Sequence, residues 1–342
     1  MDLFLVSAPL DLILTRKRSL ILDIEVLINV QDVVSHERFL YFSILAMRFF
    51  PEPLQLTDSV FTILRDLIHE RTGLYYDNDK REILADKLTP RVIDRGLNSF
   101  LDYYYLLKYD AIATNEWKSV LDVLSVPETF FWRENDALTA LVEVLLPQYL
   151  AERREMVARG GSYSLSSKPL RIWSAACATG EEPLSIVMAL EEGGWFERLP
   201  IELYASDAAS VAIAKAQTGV YRERSFRNFS ASLQEKYFTK SEFGWQVCSS
   251  LHKRIQWSLA NLMNESEIER FSQADIIFCR NVFIYFSPDS IRKTVDYFYQ
   301  KMPSRAYLFL GSSESLLKLN SDFDLREIGG AFVYVKEKVI KG

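Results

Sequence analysis

The sequence predicts an α/β protein with a largely parallel sheet covered on both faces, a small antiparallel insertion in that sheet domain, and an all-helical domain in front of it. Three observations carry this prediction. From about Leu170 onward, short apolar runs alternate with helical segments, the pattern of a parallel sheet built from crossover units. From Thr57 to about Ala113 the apolar residues recur at helical spacing alone. Between Gln217 and Trp257 the alternation breaks into aromatic-rich, irregular sequence with two short strand candidates, Trp245–Cys248 and Ile255–Leu259.

The chain has 342 residues, 49% of them hydrophobic, enough for a full core and two domains. A net charge of −6 argues against nucleic acid as the main partner, which requires a basic surface. Cys177, Cys248 and Cys279 are widely spaced and lack nearby histidines, so neither a zinc site nor a disulfide framework is expected, and a reducing cytoplasm fits. His36, His69 and His252 form no constellation and read as surface or packing residues.

Residues 1–55 read as an N-terminal extension of unassigned role: a helical extension, or a start codon placed too early. Charges interrupt each of their apolar runs before membrane-spanning length. The cluster Arg16–Arg18 follows the first run, where a signal peptide would carry it in front. No membrane insertion is expected.

Residues 56–125 are expected to form the helical domain. The first helix starts at Asp58 and ends near Gly73, the second spans about Asp79 to Arg95, the third begins at Phe100, and the fourth covers about Asn115 to Leu124. Residues 126–168 read as a linker containing one helix, Ala137 to Glu155, and a polar stretch from Gly160. Residues 169–342 form the sheet domain, with the insertion at about 218–256. Its strands are expected at Leu170–Ser174, Ile201–Ser206, Ala274–Cys279, Ala306–Gly311 and Ala331–Lys336, with helices at 182–192, 208–217 and 288–301 between them.

The chemistry concentrates after the first strand, in Ser174-Ala-Ala-Cys-Ala-Thr-Gly-Glu-Glu-Pro183. A strand, a turn of small residues around Gly180 and a helix N-terminus let backbone approach a nucleotide-like ligand closely. Glu181 and Glu182 stand where a phosphate binder needs bare N–H groups or a lysine. They would repel a pyrophosphate and welcome hydroxyls or a cation, which points to S-adenosylmethionine rather than NAD or ATP. Asp207 ends the second strand, somewhat more than the usual ~20 residues past the glycine turn, where a carboxylate meets ribose hydroxyls. Alone it reads equally as a helix cap; beside Gly180 and Glu181 the ribose reading prevails. Arg280 and Asn281 end the strand at Cys279, at the edge where a parallel sheet places its ligand crevice. Tyr285 points near the same crevice or simply packs. Asn261 ends the run from Ile255, where an amide could meet an adenine edge. Upstream, Thr129-Phe-Phe-Trp-Arg133 offers aromatics for a sulfonium and a guanidinium for a carboxylate, and reads equally as a stapled linker.

Taken in order, Thr129–Arg133, Ser174–Pro183, Ala205–Asp207, Asn261-Leu262, Cys279–Val282 and Ile284–Phe286 resemble the CheR family of chemotaxis-receptor protein-glutamate methyltransferases, over roughly residues 56 to 337. The resemblance implies a Rossmann-like S-adenosylmethionine methyltransferase sheet, an inserted antiparallel subdomain and a helical receptor-recognition domain. It implies cofactor contacts at Thr129, Arg133, Gly180, Glu181, Asp207, Asn261, Leu262, Asn281 and Val282, and an active-site aromatic at Tyr285. It further implies chemoreceptor methylation helices as the protein substrate and a methylesterase that opposes the reaction. Lys80, Lys87, Arg91 and Arg95 fall within about 80° on a helical wheel and suit acidic receptor helices, or equally a solvated face.

Three residues depart from the family pattern. Pro127 replaces a frequent asparagine, Gly311-Ser-Ser-Glu314 lacks its usual histidine, and Pro90 sits inside the second helix. The loop Ser241–Trp245 is short for gripping a receptor's C-terminal tether, which favours tether-independent binding. Methyl transfer to an ionised glutamate needs alignment rather than a base, consistent with the missing catalytic histidine. Two rival readings are the same chemistry on a non-chemotaxis protein, and a degenerate module that binds S-adenosylmethionine or S-adenosylhomocysteine and signals by interaction.

Overall fold

The computed structural model describes residues 54–159, 168–320 and 322–337. Nearly all of the extension read at 1–55, the polar stretch 160–167 and His36 lie outside the described residues. Four helices come first: α1 (Asp58–Thr72), α2 (Arg81–Asp94), α3 (Phe100–Tyr109) and α4 (Ala113–Leu124). They bury Leu64, Ile68, Leu84, Leu88, Phe100, Tyr103 and Val120 against one another. Ser99 caps α3, its hydroxyl accepting from the Asp102 N–H at 3.1 Å. Gly73 ends α1 at φ 78°, and a Cβ there would stand 2.6 Å from the Phe286 ring. Glycine therefore both stops the helix and admits the sheet domain. Pro90 remains inside α2 without starting a new helix. The carbonyl it leaves unpaired belongs to Asp86, on the exposed side.

The basic face expected on α2 is largely engaged within the helical domain. Arg91 forks onto the fully buried Glu116 at 3.0 and 2.8 Å, and Arg95 and the Tyr103 hydroxyl reach the same carboxylate. Lys87 donates to the carbonyls of Val123 (3.3 Å) and Leu124 (3.1 Å), closing the C-terminus of α4. Lys80 stays exposed, in a 3₁₀ turn ahead of α2, 3.6 Å from Asp77. Lys87 and Arg91 thus hold the helices together. Burial alone would raise the Glu116 pKa, but its hydrogen bonds from Arg91, Tyr103 and Arg95 outweigh this and keep it below the usual glutamate range. Glu116→Ala is expected to destabilise the protein by about 2–3 kcal/mol in urea unfolding, because it strands the Tyr103 hydroxyl and frees two guanidiniums, one of which can fall back on Asp94.

A helical connection follows: α5 (Asp136–Thr139), a π-helical segment Ala140–Leu145 and α6 (Leu146–Ala158). The sheet domain then alternates β1 (Leu170–Ala175), α7 (Glu181–Glu192), β2 (Ile201–Asp207) and α8 (Ser210–Thr218). The insertion contributes β3 (Val220–Tyr221), α9 (Ala231–Tyr237), β4 (Phe238–Ser241) and β5 (Gly244–Val247), paired antiparallel in the order β3-β5-β4. After α10 (Ser249–His252) the main sheet resumes with β6 (Ile255–Leu259), α11 (Glu265–Ile268), β7 (Ile276–Cys279), α12 (Pro288–Lys301), β8 (Ala306–Phe309), β9 (Asp324–Ile328) and β10 (Ala331–Lys336). The seven-stranded order is β6-β2-β1-β7-β8-β10-β9, parallel from β6 to β8 and antiparallel at β10 and β9. Ile255–Leu259, read as part of the irregular region, is therefore an edge strand of the main sheet, paired with β2. The chain runs outward from β1 through β2 to β6, then returns to the other side of β1 at β7. That reversal opens a crevice at the carboxyl ends of these strands.

Candidate active site

A cavity occupies this crevice. Ala176, Cys177 and Ala178 after β1, Asp207 and Ala208 after β2, Ala260 to Leu262 after β6, and Arg280 to Val282 after β7 line its floor. Val126 to Phe130 and Arg133 form one wall, while Thr72, Leu74, Leu121 and Ser125 of the helical domain close it from above. The roof is fastened by the Tyr75 N–H donating to the Tyr285 carbonyl at 2.9 Å, by Asn261 Nδ2 donating to the Arg71 carbonyl at 2.7 Å, and by His69 Nε2 meeting the hydroxyls of Ser287 and Ser290.

The turn after β1 carries left-handed backbone at Ala176 (φ 57°) and Ala178 (φ 48°), an uncommon conformation that clusters at ligand sites. Asp207 holds this turn. Its Oδ2 accepts from the Ala178 N–H at 2.9 Å, and its Oδ1 accepts from the N–H of Ala209, just ahead of α8, at 2.8 Å. Asp207 is thus a cavity carboxylate that braces the chain on both sides, while the N-cap position of α8 belongs to Ala209. Burial raises its pKa, against the pull of those backbone hydrogen bonds.

The cavity gathers Thr129, Arg133, Asp207, Asn261, Leu262, Asn281, Val282 and Tyr285. Gly180 and Glu181 do not line it. Gly180, at φ 97°, starts α7, and a Cβ there would meet Trp257 and the Tyr221 hydroxyl at 2.9 Å. Glu181 turns away toward the insertion, accepting from Thr179 Oγ1 at 2.7 Å and Ser225 Oγ at 2.8 Å. Its neighbour Glu182 lines the cavity instead. One residue along a helix rotates the side chain by about 100°, so two adjacent glutamates could not be told apart before the helix phase was known. Asn261 is likewise committed, its amide spent on Arg71 and on the Met263 N–H. Of the upstream aromatics, Phe131 is fully buried among Tyr221, Phe226, Phe229 and Phe238, Trp132 packs on Phe229, and Phe130, with Arg227 over its ring, lines the cavity.

Two carboxylates that were not singled out organise the remaining wall. Glu134 accepts from Arg280 Nη2 (2.9 Å), Asn281 Nδ2 (3.3 Å) and Ser312. Glu314 accepts from the N–H groups of Gly311, Asn281 and Phe283, which holds Asn281 in left-handed backbone at φ 60°. Glu134 directly follows the Thr129–Arg133 element, and Glu314 ends Gly311–Glu314, but neither spacing announces the contact. Arg280 is buried between Glu134 and Glu182, donating to the latter at 3.0 Å. Its Nε–H finds no acceptor within the protein.

The donor set fits S-adenosylmethionine. Acidic Asp207, Glu182 and Glu128 outnumber the guanidiniums of Arg133 and Arg280, and no lysine is among the described lining residues, which suits a cationic ligand rather than a polyphosphate.

The model for "CheR methyltransferase, all-alpha domain" matches residues 59–125, and that for "CheR methyltransferase, SAM binding domain" matches residues 127–331. The chain belongs to the CheR methyltransferase family. Its relatives include Chemotaxis protein methyltransferase 2 of Vibrio cholerae, 32% identical over 283 residues that cover 82% of this chain and 94% of that protein. The Chemotaxis protein methyltransferase of Escherichia coli K12 is 29% identical, covering 84% and 94%. A probable biofilm formation methyltransferase, WspC of Pseudomonas aeruginosa, is 28% identical, covering 79% of this chain and 60% of its own length. As a member of the CheR family, the chain is an S-adenosylmethionine-dependent methyltransferase. Asp207, Arg133, Leu262 and Val282, all lining the cavity, are among the residues that would hold the cofactor. Among the described residues no helix is long and apolar enough to cross a membrane, and no cluster of side chains could hold a metal ion.

Because burial raises the pKa values of Asp207 and Glu182, both take up protons above the usual carboxylate range, and protonation removes the charge that favours a cation. Cofactor affinity measured by calorimetry is expected to decline on acidification before ordinary carboxylates titrate. A profile flat down to that range would contradict this.

Proposed function

We propose that this CheR-family chain transfers the methyl group of S-adenosylmethionine to glutamate side chains of chemoreceptor-like coiled-coil proteins, forming glutamyl methyl esters. The observation that carries the reading is a cavity without a histidine or lysine base among its described lining residues, whose buried carboxylates are already engaged, Asp207 by the N–H groups of Ala178 and Ala209 and Glu182 by Arg280. Burial pushes the Cys177 thiol well above its usual range. An acceptor already ionised at neutral pH is what such a site can use, and a glutamate, with a pKa of about 4.3, meets that condition.

The bound cofactor supplies an electrophilic methyl group. The protein's work is alignment, which can contribute ~7–11 kcal/mol. Asp207 and the strained turn it holds fix one end of the cofactor, and Arg133 suits the carboxylate at the other. Tyr285, half-buried and tied by its carbonyl to Tyr75, is assigned as the active-site aromatic. Thr72, Leu74, Leu121 and Ser125 limit the water that reaches the methyl group.

The relatives' names, which place them in chemotaxis, support a chemoreceptor substrate; an opposing methylesterase and a cytoplasmic site of action go with that reading, and the net charge of −6 speaks against a nucleic-acid partner. The biofilm relative supports a second reading, the same chemistry on a non-chemotaxis protein. Peptide mass spectrometry of a receptor methylated by the purified protein tests the acceptor: methyl groups on glutamates support the proposal, and methyl groups confined to other residues overturn it.

A further inference from the structure

The inserted subdomain presents arginines beside the cavity mouth, on the 3₁₀ turn Glu223–Phe226 and just after it. The turn is fixed to the cofactor wall. Ser225 Oγ donates to Glu181 at 2.8 Å, the Ser225 carbonyl accepts from the Phe131 N–H at 2.8 Å, and Phe226 packs on Phe131. Arg224 and Arg227, on either side of this anchor, are both exposed.

Arg227 lies 3.8 Å from the centroid of the Phe130 ring and donates to Glu128 at 2.7 Å; Phe130 and Glu128 both line the cavity. Arg133 also grips this segment, through the Glu128 carbonyl at 2.9 Å. Three guanidiniums, those of Arg227, Arg133 and Arg224, therefore surround one exposed carboxylate, whose pKa the Arg227 hydrogen bond, above all, holds below the usual range. The other nearby carboxylates are engaged: Glu223 accepts from the Trp245 indole, and Glu134 holds Arg280. On the helical domain, by contrast, Arg91, Arg95 and Lys87 are consumed internally.

We propose that Arg224 and Arg227 form a recognition surface for an acidic helical segment of the protein substrate, beside the point where its glutamate enters the cavity. The inference rests on the glutamate-acceptor reading above and adds where the flanking carboxylates are held. A substrate carboxylate would compete with Glu128 for the Arg227 fork and meet Arg224 directly. Such charges favour encounter and register, and their effect falls with salt.

The test uses a helical peptide with a glutamate-rich face and its glutamine counterpart, with binding to the full chain followed by fluorescence anisotropy at low and high salt. The wild type is expected to prefer the glutamate peptide. Arg224→Glu combined with Arg227→Glu should weaken binding at least about 10-fold at low salt and flatten the salt dependence. Arg224→Glu alone, which touches no packing, should give part of the loss with cofactor affinity retained. Equal binding of both peptides by the wild type, or unchanged binding in the variants, would overturn the surface. Base-labile methyl transfer to the bound peptide is read separately. Its absence with arginine-dependent binding intact would reject the acceptor reading and leave the surface standing.

Discussion

Replacing Asp207 with alanine is expected to weaken S-adenosylmethionine binding at least about 100-fold, a loss of roughly 2.7 kcal/mol. The side chain carries two loads at once. It would hold the ribose, and it accepts the N–H groups of Ala178 and Ala209, which lose their acceptor in the variant. Ala178 is in left-handed backbone, so losing this acceptor strains a turn otherwise held through Cys177, Thr179 and Gly180. Asp207→Asn retains acceptor geometry on one side and removes the charge. It should fall between wild type and alanine, which separates the electrostatic share from the structural one. Titration calorimetry checks both, with circular dichroism to confirm folding.

The second large effect lies at Arg280. Its side chain is 3% exposed and neutralises Glu182 and Glu134 together. Arg280→Met leaves Glu182 without a cation and Glu134 with only Arg133, 4.0 Å away, and is expected to cost about 3–5 kcal/mol of stability in urea unfolding. Cofactor binding should fall too, because Glu134 also positions Asn281 and Ser312. Adding Glu182→Gln to Arg280→Met should restore part of the stability, since it removes the charge left without a cation. No recovery in the double variant would show that the loss comes from packing rather than charge.

The fold was legible where periodicity was strong. α12 and β10 lie where the spacing placed them, and α1 stops at Gly73 because a left-handed cap admits little else. β9 was missed: Asp324–Ile328 is an edge strand with largely exposed side chains, and it lacks the apolar run that marks a central strand. β6 was read into the irregular region because its apolar signal is interrupted by Gln256 and Ser258.

Site residues divided along the same line. Positions at strand ends, such as Asp207 and Asn281, come to the cavity because sheet topology puts them there. Glu181 against Glu182 was a question of helix phase. The basic wheel on α2 failed for a different reason: a helical wheel knows only its own helix, and the fully buried Glu116 that claims Arg91 arrives from α4. Glu134 and Glu314 act across distances in sequence that no spacing rule encodes.

Radiolabelled methyl transfer from S-adenosylmethionine to chemoreceptor-rich membranes, with Asp207→Ala in parallel, bears on all of these assignments together. Base-labile label on the receptor band, absent with Asp207→Ala, is the expected result and joins the ester chemistry to the cavity. Label on the receptor that survives base, or that persists undiminished in the variant, would contradict the assignment of acceptor or site.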